Sequence, residues 1–160
     1  MKRFLTTLML CAVSGLPAGA EVVRPAPQVE FPSATGKPLT SKSFLGQPII
    51  ILLADSPSRG AFKEQLKEMQ KSYDRLAVRK TVVAAAFLKG DSAEIRSDIP
   101  VVVLPNGERA CSAFHLKGKF SIALIGPDGN LDYQTDKVLN INRILEVMQN
   151  SYEIQKSMHR

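Results

Sequence analysis

Residues 48–76 constrain the fold more than any other stretch of this chain. Pro48 opens an unbroken apolar run, Ile49-Ile50-Ile51-Leu52-Leu53-Ala54, with three consecutive β-branched residues. A run this short and free of charge fits a strand buried on both faces of a sheet. The polar turn Asp55-Ser56-Pro57-Ser58-Arg59-Gly60 follows. Beyond it Phe62, Leu66, Met69, Tyr73 and Leu76 recur at helical spacing, and Lys63, Glu64, Lys67, Glu68 and Lys71 fill the other positions. This predicts one amphipathic helix over 61–76, with Ser56-Pro57 as N-cap and first-turn pair. In α/β sheets chemistry usually sits at the carboxyl end of a strand and the start of the next helix, so this turn is the first candidate site.

Upstream, Lys2-Arg3, a mostly apolar stretch over 4–16 and Pro17-Ala18-Gly19-Ala20 have the form of a secretory signal peptide. The predicted division is a signal peptide over 1–20, an extended and partly disordered arm over 21–38, one domain over 39–150 and a polar basic tail over 151–160. The arm's prolines at 25, 27, 32 and 38 support its extended reading, and Val29-Glu30-Phe31 alternates as a segment touching a sheet edge does. A helical turn is expected over 39–45. Leu10 stands where a lipid-attachment motif before Cys11 needs a small residue, so lipidation is not expected. No later stretch is long and apolar enough to span a bilayer. The expected product is an exported protein, periplasmic or secreted, that is soluble once the signal is cleaved.

Downstream of the first helix, residues 81–88 read as a second buried strand, which with the first forms a βαβ unit. Residues 92–98 read as a polar link. Residues 99–104 read as a strand that Pro100 confines to an edge or a strand start. Residues 108–116 fit either a short helix or the return strand of a hairpin. Residues 120–125 form another strand, Gly126-Pro127-Asp128-Gly129-Asn130 is a hairpin turn, and 131–135 returns antiparallel. Asn140 caps a last helix carrying Ile141, Ile144, Leu145 and Met148 on one stripe.

Composition narrows the chemistry. Removing 20 of the 160 residues leaves 140, enough for one domain with a real core. Lys2 and Arg3 leave with the signal and no acid does, so a formal charge of +6 becomes +4. Such a mild basic balance suits a solvated surface or acidic partners, and no basic stripe interleaved with aromatics marks a nucleic-acid interface. Cys11 also leaves with the signal, so Cys111 has no intramolecular partner and burial is its expected state. His115 and His159 are the only histidines, and no Cys/His cluster has metal-ligand spacing. No metal or cofactor is expected. Asp128 and Asp132 belong to a turn and the strand after it, which does not suggest a paired acid–base role.

The order of elements, with a late hairpin and a final helix, resembles the thioredoxin-like fold. More closely, the chain resembles the thioredoxin-like domain of unknown function numbered 4174, which occurs in exported bacterial proteins and in some animal extracellular-matrix proteins. The matching pieces are Ile51-Leu52-Leu53-Ala54 before the polar turn, Gln65-Leu66, Leu76-Ala77-Val78-Arg79, Leu124-Ile125-Gly126-Pro127-Asp128-Gly129 and the last helix through Met148. The resemblance implies a three-layer α/β sandwich with a mixed central sheet and flanking helices. In catalytic thioredoxins the turn after the first core strand holds Cys-x-x-Cys, whose first thiol is activated at the helix start. Here that window reads Ser56-Pro57-Ser58-Arg59. The proline usually cis before the late strand is also replaced, by Lys119 after Gly118, and a trans bond is expected there.

Three functional readings follow. The favoured one is a non-catalytic module that binds a protein or an envelope or extracellular component. The alternative is a thiol oxidoreductase or peroxidase using Cys111, with Arg109 lowering its pKa and His115, one helical turn on, as base. The third is an anion site formed by Ser56, Ser58 and Arg59 at the helix start.

Overall fold

The computed structural model describes residues 21–90 and 95–158. Eight strands are described: β1 (Glu21–Pro25), β2 (Glu30–Phe31), β3 (Leu39–Thr40), β4 (Ile49–Ala54), β5 (Val82–Phe87), β6 (Val102–Val103), β7 (Phe120–Ile125) and β8 (Asn130–Thr135). The described α-helices are α1 (Gly60–Gln70), α2 (Tyr73–Val78), α3 (Gly107–Ala113) and α4 (Ile141–Met158). Six strands form one mixed sheet in the order β1-β8-β7-β4-β5-β6. β4 runs parallel to β5 and β5 to β6, while β7 is antiparallel to both β4 and β8. β2 and β3 form a separate two-stranded ribbon.

β4 is the centre because each of its faces has a core to fill. Ile50, Leu52 and Ala54 point into one cluster with Phe62, Leu66 and Met69 of α1, Leu76 of α2, and Ile144, Leu145 and Met148 of α4. Ile49, Ile51 and Leu53 point into the other, with Ala110 and Cys111 of α3, Phe114, and Val29 and Phe31 from the N-terminal segment. Strand alternation thus divides one apolar run between two layers. The result is the expected sandwich: α1, α2 and α4 on one face and α3 on the other.

The predicted helix over 61–76 is two helices. It breaks at Ser72, whose backbone leaves the helical region. Serine is a weak helix-interior residue because its hydroxyl competes for backbone groups. The break still delivers Leu76 to the core. The N-cap is Arg59, with no side-chain cap bond, rather than Ser56. The segment 21–38 is more ordered than an arm: β1 pairs antiparallel with β8 as an edge of the main sheet, and Val29 and Phe31 are buried. Residues 39–45 supply β3 and then a 3-10 turn, Ser41–Phe44. The strand expected over 99–104 shrinks to the two residues of β6 at the opposite edge. Asn106 settles the ambiguous segment after it as a helix, since its side chain accepts from the Arg109 N–H at 3.2 Å. α4 runs on through the expected tail to Met158, and Ser151 within it is buried. Residues 1–20, and with them the expected signal peptide, lie outside the described residues, as do 91–94, which include 92–94 of the predicted polar link.

Two buried polar contacts tie neighbouring elements together. Gln65 of α1 is fully buried; its Nε2 donates to the Leu139 carbonyl at 2.9 Å, and its Oε1 accepts the Leu139 N–H at 2.8 Å. This pair satisfies both backbone groups of the loop that enters α4. Ser121 of β7 donates to the Thr135 carbonyl of β8 at 3.0 Å.

Candidate functional site

The turn 55–59 leaves β4 between two neighbouring segments. The Asp55 N–H donates to the Lys119 carbonyl at 3.1 Å, and the Asp55 carbonyl accepts from the Lys89 N–H at 2.9 Å. The turn, the end of β5 and the approach to β7 therefore meet at the carboxyl end of β4. All described peptide bonds are trans, including the one before Phe120.

Within the turn, Arg59 grips Asp55. Its Nε donates to Asp55 Oδ1 at 2.8 Å, and its Nη2 makes an ion pair with Asp55 Oδ2. The Arg59 hydrogen bond holds the Asp55 carboxyl below its ordinary range, and the same bond raises Arg59. The Ser56 and Ser58 hydroxyls are 2.9 Å apart and bonded to each other. The Arg59 N–H is also taken, by the Ser56 carbonyl at 3.2 Å. The three residues of the expected anion site are thus brought together, but their polar groups are directed at one another and at Asp55. The arrangement stiffens a turn and leaves Arg59 committed to a carboxylate.

Cys111 lies in the middle of α3, on the far side of the sheet from α1, and is 2% exposed. Its Sγ faces the Ala86 carbonyl of β5 at 3.9 Å. Burial pushes the thiol up to about 11, only partly opposed by a backbone contact with Ala54. At neutral pH the group is a thiol, whereas nucleophilic cysteines are thiolates. Arg109 does not change this. Its side chain is exposed and reaches away to Glu30, with Nη1 3.4 Å from Oε1. His115 does lie beside Cys111 along one shallow depression at the end of α3. Its backbone is left-handed, with φ 53°. The His115 N–H donates to the Ser112 carbonyl at 3.0 Å and the Leu116 N–H to the Cys111 carbonyl at 2.9 Å. That pair of bonds is a Schellman ending, and His115 occupies the position usually given to glycine.

A third cluster was not apparent from the sequence. Asp128 and Asp132 converge with Ser151 around Gly126, where a Cβ would come within 2.8 Å of an oxygen from each. Asp128 is held by Asn130, whose N–H donates to Oδ1 at 3.0 Å and whose Nδ2 donates to Oδ2 at 2.8 Å. Burial raises the Asp132 carboxyl to about 6, a hydrogen bond from Ser151 opposes this, and the charge of Asp128 adds to it. Ser151 of α4 closes this cluster from above the hairpin, a contact 19 residues from Asp132 that local sequence cannot reveal. Among the described residues no group of three or more His, Cys, Asp or Glu side chains is placed to hold a metal. Among them, too, no helix is long and apolar enough to cross a membrane.

No protein-family profile matches the chain, and no curated protein matches it by sequence. Solved structures do resemble it. The thioredoxin domain of a thiol-disulfide oxidoreductase from Bacteroides vulgatus superposes with a TM-score of 0.59 at 12% identity, covering 79% of this chain and 94% of that one. A DsbF homologue from Corynebacterium diphtheriae gives 0.63 at 6% identity over 91% and 99%. The reduced 2-Cys peroxiredoxin of Plasmodium vivax gives 0.63 at 11% over 86% and 99%. Their shared architecture, and the mixed sheet with helices on both faces described above, establish that this chain has the thioredoxin-like fold.

Proposed function

We propose that this protein is an exported thioredoxin-like domain that works by binding an envelope or extracellular component, not by thiol–disulfide chemistry. The observation that carries the reading is the state of Cys111: 2% exposed, with its thiol pushed up to about 11. It is the one free cysteine among the described residues. The turn that follows β4 offers Ser56 and Ser58 instead, and a serine hydroxyl needs a positioned base before it attacks anything. The described partner of each of these hydroxyls is the other. Export is inferred from residues 1–20, and the likeness to the domain family numbered 4174 belongs to the same proposal.

The test is peroxide and disulfide turnover by the purified protein and by Cys111→Ala, which keeps the site apolar. Both are expected to stay at the buffer rate with any supporting reductant. Turnover by the unmodified protein that vanishes in the variant would overturn the proposal and make Cys111 the nucleophile.

A further inference from the structure

The outer side of the same turn opens into a groove between α1 and residues 96–98, of about 810 Å³. That volume lies within the span of ordinary ligand pockets. Its floor includes Phe62 and Leu66, which are 1% and 4% exposed. These two side chains themselves therefore offer a ligand almost no surface. The rim is different. Lys63 and Lys67 of α1 stand exposed on one wall and Arg96 on the other. Among the described residues none of the three is in an ion pair. The acid of the rim, Asp98, already accepts from the Gln70 amide.

We propose that this groove docks an extended acidic segment of a partner protein, its alternate carboxylates meeting Lys63 and Lys67 and a further one meeting Arg96. The inference rests on the binding-module reading and names its partner class. The spacing argues for an extended peptide. Two residues four apart on a helix are offset by about 6 Å along its axis. Side chains on one face of an extended strand recur every two residues, about 6.6 Å apart. A carboxylate at every second position therefore matches the two lysines, and a block of adjacent acids puts half its charge on the wrong face. Recognition by charge at an exposed rim weakens steeply with salt.

The experiment is fluorescence anisotropy with a labelled peptide alternating glutamate and serine, against an isomer of equal composition with the glutamates in one block. The protein is used unmodified, as Lys63→Glu/Lys67→Glu, and as Lys42→Glu/Lys137→Glu. The last carries the same charge change at exposed lysines outside the groove, and circular dichroism verifies that both variants fold. The alternating peptide is expected to bind in a salt-dependent way, more tightly than the block isomer, and to lose about tenfold in the groove variant but less than about twofold in the other. The inference is overturned by no binding of the alternating peptide, by equal affinity for the two isomers, or by equal losses in the two variants. Tighter binding of a polysulfated oligosaccharide at Lys63 and Lys67 also overturns it, in favour of a glycan. None of these readings involves thiol chemistry, so a failure here is distinct from turnover at Cys111, which would refute the parent proposal.

Discussion

Asp132 carries a charge that the fold tolerates poorly. Burial raises its carboxyl to about 6 from an ordinary 3.8, despite the hydrogen bond from Ser151. A group raised in the folded state binds its proton more tightly there than in the unfolded chain. Its contribution to stability is complete below about pH 4 and is lost as pH rises through about 6. The site is only half-buried, so solvent screening reduces the cost of ionisation to on the order of 1 kcal/mol. Asp132→Asn should therefore be more stable than the unmodified protein at pH 7 by about that amount, and its denaturation midpoint should vary less between about pH 4 and pH 6. Urea melts at the two ends of that range are the measurement, and an unchanged pH slope would contradict the assignment. His115 teaches a related lesson. Its place four residues after Cys111 suggests a base beside a nucleophile, but its φ of 53° and the two bonds around it make it the residue that ends α3.

At the scale of elements, two contacts decide how helices sit on the sheet. α3 begins at Gly107, where a Cβ would stand 2.0 Å from the Phe87 carbonyl oxygen at the end of β5. Only glycine lets the helix start that close to the strand. Gly107→Ala should cost about 1–3 kcal/mol, since backbone cannot move aside as a flexible side chain can. Thermal melts read this, and a loss no larger than for Gly118→Ala, which has open space around its Cβ, would contradict it. Gln65 plays the corresponding part for α4. Gln65→Leu keeps the volume and strands both backbone groups of Leu139, which should lower stability by roughly 2–4 kcal/mol in urea melts. A neutral result would mean that water replaces the side chain.

Which elements were legible follows from the same physics. β4, β5 and β7 are buried on both faces, so their apolar runs announce them from the sequence alone. The hairpin of β7 and β8 is marked by its Pro-Asp-Gly turn, and α4 by Asn140, whose Oδ1 accepts the Arg143 N–H at 2.9 Å. β1 is an edge strand that depends on its neighbour β8 and carries no pattern of its own, whereas β6 was legible as an edge strand over 99–104 but only Val102 and Val103 pair with β5. The break between α1 and α2 leaves the periodicity of buried residues intact, which is why one helix was expected where two exist. The candidate turn was visible in order and position. Its internal ion pair between Arg59 and Asp55 was not, because rotamers and not spacing decide whether an i,i+4 pair closes.

For the whole molecule, the described cysteine of this thioredoxin-like scaffold lies in the core, on the sheet face opposite α1. The most direct measurement is the rate at which iodoacetamide alkylates Cys111 as a function of pH, in the native protein and in urea. A thiol at about 11 holds roughly a hundredfold less thiolate near pH 8 than one at the ordinary 9.0. The native protein should therefore react at least about 100-fold more slowly than the unfolded chain, with a rate still climbing above pH 10. A native rate that exceeds the unfolded one and levels off below about pH 8 would show an activated thiolate, and the binding-module account would be wrong.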